Sequence, residues 1–210
     1  MAWTYEQNFN DLATSDLNGQ DSWIGSVSFD VQTSVIYEGV KAVSVAGGAD
    51  VNISRTIPGI SSGSVYFAMR KSATPTAGSI FFFAFGEAPA LSQMRIYFDA
   101  DGNISILNGT DNSNVNLLSG PASSNVWYPV NVEFDDVAQP NKYRARVYSS
   151  GSWQPFSSWH PVLSNGAYAN IDTVFVRTND SNVEHAFYFD IITPTDPTVL
   201  LGNPNFLLFL

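Results

Sequence analysis

The chain has 210 residues, enough for one large domain with an appendage, and its 44% apolar content supplies a core and argues against wholesale disorder. Charged residues make up only 13%, about half the usual share, and 14 Asp with 5 Glu against 3 Lys and 6 Arg leave a net charge of −10. So few cations cannot neutralise many phosphates, which argues against nucleic acid and anionic membrane surfaces as partners, while the absence of cysteine excludes a disulfide framework, a thiolate zinc site and a cysteine nucleophile.

Along the chain, apolar and polar residues alternate with period two. Val65–Met69, Arg95–Phe98, Val130–Phe134 and Tyr143–Tyr148 each follow the pattern. In Val130–Phe134 the residues Val130, Val132 and Phe134 share one face. In Tyr143–Tyr148 the residues Tyr143, Ala145 and Val147 point one way and Arg144, Arg146 and Tyr148 the other. Such alternation predicts strands with one buried face. Turn signals separate them: Gly47-Gly48, Pro58-Gly59, Asp101-Gly102, Asn108-Gly109, Gly120-Pro121, Ser150-Gly151 and Asn165-Gly166. Met94–Asp99 and Asn103–Leu107 flank Asp101-Gly102 and predict a tight hairpin, because glycine takes positive φ without steric cost. A second hairpin is predicted between Trp127–Asp135 and Lys142–Tyr148. No helical stripe is present. Many short strands and almost no helix predict an all-β sandwich or barrel.

The ends differ from the middle. Residues 1–9 carry neither a basic nor an apolar leader region, so no secretion signal is visible and synthesis in the cytoplasm is expected. No apolar run is long enough to span a bilayer. Residues 1–193 read as the sandwich domain and 194–210 as a Pro-punctuated tail. The tail closes on Phe206, Leu207, Leu208, Phe209 and Leu210, an apolar patch that soluble monomers avoid exposing. It is expected to dock, either on its own domain or on a neighbouring subunit.

Several patterns, in order, resemble the concanavalin A-like lectin/glucanase superfamily. Phe9-Asn-Asp-Leu12 with Asp16–Trp23 resembles its opening strand and loop, Tyr37–Val45 a following strand, and Phe98–Ile106 its central hairpin. Trp127–Phe134 resembles the strand after a tryptophan, and Ala186–Ile192 the closing strand, which in that family pairs with the first. The resemblance spans residues 5 to 193 and implies a jelly roll of two antiparallel sheets, concanavalin A-like. The opening segment also resembles tailed-bacteriophage virion proteins. That implies a particle-surface protein, with a homo-oligomer or other virion proteins as partners, a virion-surface location, and a host-surface glycan as a further partner.

The chemistry is thin. Glu133-Phe-Asp135-Asp136-Val-Ala138 is the nearest match to the Glu-x-Asp-x-x-Glu motif of the glucanase-like members, and its last position is alanine. Retaining glycoside hydrolysis needs two carboxyl groups about 5–5.5 Å apart, so no catalytic residue is assigned and a non-enzymatic module is expected. His160 and His185 stand apart, and no Gly-x-Ser-x-Gly elbow or Gly-rich phosphate loop occurs. The resemblance implies a structural calcium ion at Asn10, Asp11 and Asp190, whose oxygens suit that cation; turn capping is the other reading. Trp153, Phe156 and Trp159, in a Ser-rich loop, are candidate carbohydrate-binding residues, because sugars stack their C–H faces on rings. Packing of that loop is the alternative. The expected function is a structural or adhesion module, a phage decoration protein held by its tail, with weak glycan adsorption. A carbohydrate-binding module and a polysaccharide-degrading enzyme are the alternatives.

Overall fold

A computed structural model describes residues 3–48, 50–76, 80–86, 92–135, 138–163 and 170–197. Among them it contains fifteen strands and no helix. The strands form two antiparallel sheets packed face to face, as the period-two pattern predicts. One sheet, sheet B, runs in the order β1 (Trp23–Gly25), β4 (Val51–Ile60), β14 (Ile171–Thr178), β6 (Phe81–Gly86), β7 (Ser92–Phe98), β8 (Ile104–Leu107), β9 (Asn114–Asn116). The other, sheet A, runs β12 (Ser152–Trp153), β11 (Lys142–Ser149), β10 (Tyr128–Asp135), β5 (Ser62–Lys71), β15 (Ala186–Thr193), β3 (Ala42–Ala46), β2 (Phe29–Gln32). A short strand, β13 (His160–Pro161), pairs with β11.

Alternation decides what faces inward. Val65, Phe67 and Met69 of β5 meet Phe81, Phe83 and Phe85 of β6 in one core. Phe67 stacks on Phe83 at 4.2 Å between centroids, and Phe187 of β15 stacks on Phe81 at 4.8 Å. Each such pair adds about 0.5–1.5 kcal/mol beyond its buried area. Tyr143 of β11 sends its hydroxyl across the core to β8, accepting the Leu107 N–H at 3.1 Å and donating to the Leu107 carbonyl at 2.6 Å. A buried phenol thereby joins the two sheets without an unsatisfied polar atom.

Both expected hairpins form. β7 and β8 pair around the Asp101-Gly102 turn, and β10 pairs with β11, Val132 opposite Ala145. The closing strand β15 does meet the opening segment, through a bridge between Gln7 and Ile192. Two details differ from the sequence reading. Pro58-Gly59 is no turn: β4 runs through both to Ile60, in the stretch where its pairing with β14 shifts register. A proline on a strand is tolerated at such an irregularity, where its missing N–H leaves no ladder bond broken. The expected strand at Tyr37–Val45 begins only at Ala42, because residues 37–41 form a loop held by side chains from elsewhere. Phe81–Phe85, a continuous apolar run, is buried on both faces. Phe82 and Ala84 point away from the main core into a second cluster with Tyr97 and Phe175.

Asn165-Gly166, Asp136 and the tail residues Phe206, Leu207, Leu208, Phe209 and Leu210 lie outside the described residues. The start of the tail does lie on the sandwich: Pro197 is buried, and Asp196 accepts the Trp153 indole N–H at 2.8 Å.

Candidate functional site

The outer face of sheet A is polar and aromatic where an ordinary solvated face would carry Ser, Thr and Lys. Register builds it in rows. Arg144 of β11 stands opposite Glu133 of β10, which stands opposite Ser64 of β5. One step along, Arg146 stands opposite Asn131, and Asn131 opposite Tyr66. Farther along β5, Arg70 stands opposite Tyr188 of β15, and Tyr188 opposite Ser44 of β3. Between these rows lie Pro129 and Ala68, small residues that leave the floor low.

Polar partners fix this face. Glu133 Oε2 accepts Arg144 Nη2 at 2.6 Å and Nε at 2.9 Å. Asn131 is fully buried; its amide nitrogen donates to Ser64 Oγ at 2.6 Å and its Oδ1 accepts Arg146 Nε at 3.2 Å. A buried amide with both ends engaged has a single orientation, so it sets where Arg146 points.

The segment after β11 completes the site. The turn at Ser150 and Gly151, both at positive φ, sends the chain back along β11. Trp153 pairs with Tyr148, Gln154 donates to the Val147 carbonyl, Ser157 to the Ala145 carbonyl, and His160 pairs with Tyr143. The return path is irregular, so residues three apart come to the same side. The three aromatic residues expected to bind sugar are therefore brought together, and two arginines interleave them. The Arg146 guanidinium lies 4.8 Å from the Trp153 ring and 4.4 Å from Phe156; that of Arg144 lies 4.3 Å from Phe156 and 4.7 Å from Trp159. The column reads Trp153, Arg146, Phe156, Arg144, Trp159. All five are half-buried. Tyr66 and Tyr148 stand edge-on to Trp153 at 5.8 and 5.5 Å.

A second aromatic group lies toward β15. Arg70 sits over the Tyr188 ring at 5.1 Å, Tyr188 meets Trp127 at 6.3 Å, and Trp127 meets Tyr37 at 5.8 Å. Burial, with the charges of Glu38 and Asp196 nearby, pushes the Tyr37 phenol well above its ordinary value. Sequence reasoning missed Arg70, Arg144, Arg146, Tyr66, Tyr148 and Tyr188 as site residues. The signal was present for β11, whose alternation put Arg144, Arg146 and Tyr148 on one side; what they would face depended on the pairing of β10 and β5.

Of the residues implied for calcium, Asn10 and Asp190 hold one loop. Asn10 Oδ1 accepts the N–H groups of Val40 and Lys41 at 2.8 and 3.1 Å. Asp190 Oδ2 accepts those of Tyr37 and Glu38, both at 3.0 Å, and its Oδ1 accepts that of Ile191 at 2.8 Å. Burial pushes the Asp190 carboxyl up to about 7 despite those three N–H donors. Asp11 is exposed and lines a cleft of about 630 Å³ beside Glu6, Asp21 and Glu38. Among the described residues no group of three or more His, Asp or Glu is placed to hold a metal ion. The histidines stand apart: His160 is on β13, while His185 Nδ1 lies 2.7 Å from Asp180 Oδ2 in the turn before β15.

No protein-family model and no curated protein sequence matches the chain. Solved structures do. A sialidase superimposes over 93% of this chain with a TM-score of 0.62 at 14% identity, and the match takes up 19% of the sialidase. A cellulose-induced protein, Cip1, matches 90% of this chain and 96% of its own at 0.60 and 14% identity. An alginate lyase solved with an alginate trisaccharide matches 91% of this chain and 98% of its own at 0.54 and 10% identity. The fold is a jelly roll. Jelly rolls of this kind occur in the sialidase, in a botulinum neurotoxin binding domain and in the alginate lyase, and the chain spans about a fifth of the sialidase it matches. The jelly rolls it resembles include enzymes, among them the sialidase, a xylosidase and alginate lyases, as well as binding domains.

Proposed function

We propose that this jelly roll is a carbohydrate-binding module that takes a polysaccharide along the outer face of sheet A. The observation that carries the reading is the column in which Trp153, Phe156 and Trp159 alternate with Arg146 and Arg144. Arginines between rings hold the rings at fixed spacing and supply donors beside each ring. Apolar ring surface held in place, with hydrogen-bond donors interleaved along it, is the combination a saccharide needs. The fold neighbours support the reading, since one of them was solved with an alginate trisaccharide.

We read the role as binding without catalysis. Glu133, the carboxylate in the row of Arg144, is tied up by that guanidinium at 2.6 Å. A carboxylate oxygen that already takes two N–H groups of one guanidinium is poorly placed to meet a leaving-group oxygen.

The test is retention on immobilised and soluble polysaccharides. Trp153→Ala and Trp159→Ala are each expected to remove binding while the far-ultraviolet spectrum stays that of a β-sandwich. A wild-type chain that binds no glycan on a broad array refutes the proposal. A second reading rests on the apolar run Phe206–Leu210. There the module is a virion surface protein fixed to a like subunit or another virion protein by that run. Deleting the five residues then abolishes assembly and leaves thermal unfolding unchanged; assembly that survives the deletion refutes it.

A further inference from the structure

We infer that the ligand of this face is an anionic glycan, one whose sugars carry carboxylate or sulfate groups, gripped by Arg146 and Arg70. The inference rests on the carbohydrate-binding reading and narrows it to a substrate class.

The argument starts from where the cations are. The chain holds 9 Lys and Arg against 19 Asp and Glu, and among the described residues three of its six arginines have an acidic partner. Arg55 pairs with Asp21, Arg177 with Asp50, and Arg144 with Glu133. Among the described residues Arg146 and Arg70 have no carboxylate within ion-pair distance; the three lysines also have none, but only the two arginines present a planar guanidinium on this face. Both nonetheless stand half-buried on one sheet face.

Each is held by neutral groups that leave donors over. Arg146 gives its Nε to Asn131 Oδ1 and lies between the rings of Trp153 and Phe156. Among the described residues its two terminal amino groups take no hydrogen bond, so the fork of the guanidinium is open. Arg70 gives Nη2 to Asn125 Oδ1 at 2.8 Å and lies over Tyr188. A planar guanidinium with its fork open matches two oxygens of a carboxylate or sulfate in parallel hydrogen bonds. Rings beside each serve the sugar that carries the anion: Trp153 and Phe156 at Arg146, and Tyr188, itself against Trp127, at Arg70.

Spacing adds that the ligand is a chain. From the Arg146 row, Asn131 and Tyr66 lead across two strand intervals to β5, and Arg70 lies four residues along it. At about 3.3 Å per residue and 4.8 Å per strand, the two arginines are about 16 Å apart. That exceeds one sugar ring, so a single residue of the polymer cannot reach both. The net charge of −10 opposes densely charged polymers at long range. Two separated arginines therefore suit a polymer whose anions are spaced along neutral sugar surface.

The experiment compares backbones with and without their charge, using the full chain in affinity gel electrophoresis. The pairs are a partly methyl-esterified polygalacturonate against the fully esterified polymer and a sparsely sulfated galactan against its desulfated form. The expected result is retention by a charged member at least about tenfold stronger than by its neutral partner, the loss expected when a charge-assisted hydrogen bond is removed. Which member is retained identifies carboxylate or sulfate as the anion. Arg146→Gln and Arg70→Gln are expected to cut that preference while the far-ultraviolet spectrum stays that of the wild type, and Arg146→Lys to restore it only in part. Equal retention of charged and neutral partners, retention of neutral ones alone, or glutamine variants that keep the preference would overturn the inference while leaving carbohydrate binding standing. No retention of any glycan would overturn both.

Discussion

Asp190 sits at the junction of β15, the 37–41 loop and the bulge in β15, where Ile191 is forced to φ 42°. A β-branched residue rarely takes positive φ, and the Asp190 Oδ1 bond to the Ile191 N–H helps hold it there. Burial raises this carboxyl from its ordinary 3.8 to about 7. Between about pH 4 and pH 7 the folded chain keeps a proton on Asp190 that the unfolded chain has released. The contribution of Asp190 to stability is therefore largest below that range, falls as pH rises through it, and is level above about pH 7. Asp190→Asn removes the titration. Differential scanning calorimetry of both proteins from pH 4 to pH 7 is expected to show the wild type losing ground to the variant as pH rises. A constant gap between their melting temperatures would contradict a carboxyl raised by burial.

Among elements, the β7–β8 hairpin shows how one turn was legible and its surroundings were not. Asp101-Gly102 announced the turn. Gly102 takes φ +81°, and Asp99 Oδ1 accepts the N–H groups of Asp101 and Asn103 at 3.0 and 2.8 Å. The sequence could not show that Lys71, from the end of β5, reaches under the turn to donate to the Gly102 carbonyl at 3.2 Å. A Cβ on Gly102 would meet Lys71 Nζ at 2.6 Å. Gly102→Ala is expected to destabilise the chain by about 1–3 kcal/mol, combining the left-handed backbone with displacement of a buried lysine. Urea unfolding measures it, and a loss under about 0.5 kcal/mol, the range of an ordinary surface change, would show that the lysine moves freely. The segment after β11 was less legible still. Trp153, Phe156 and Trp159 are spaced by threes, a period that fits no strand face, and only their backbone bonds to β11 bring the rings to one side.

At the scale of the whole molecule, 19 acids against 9 cations repel one another in the compact state. Raising ionic strength from about 0.01 to 0.15 M shortens the Debye length from about 30 to 8 Å, so the melting temperature near pH 7 is expected to rise. Thermal unfolding in sodium chloride measures this, and a fall would show that the ion pairs of Arg55, Arg144 and Arg177 outweigh the repulsion.

The all-β class, both hairpins and the inward faces of β10 and β11 were legible from the amino-acid order, because alternation and turn chemistry act between residues near in the chain. The meeting of the opening segment with the closing strand, which carry Asn10 and Asp190, was implied by the family resemblance and not by any local pattern. That Arg146 meets Asn131, Asn131 stands opposite Tyr66, and Arg70 lies over Tyr188 follows from the packed sheet alone. Those pairings join β11, β10, β5 and β15, and the register between strands distant in sequence is set by how the sheets pack. The chain listed the aromatic rings and the arginines; the packing put them on one face.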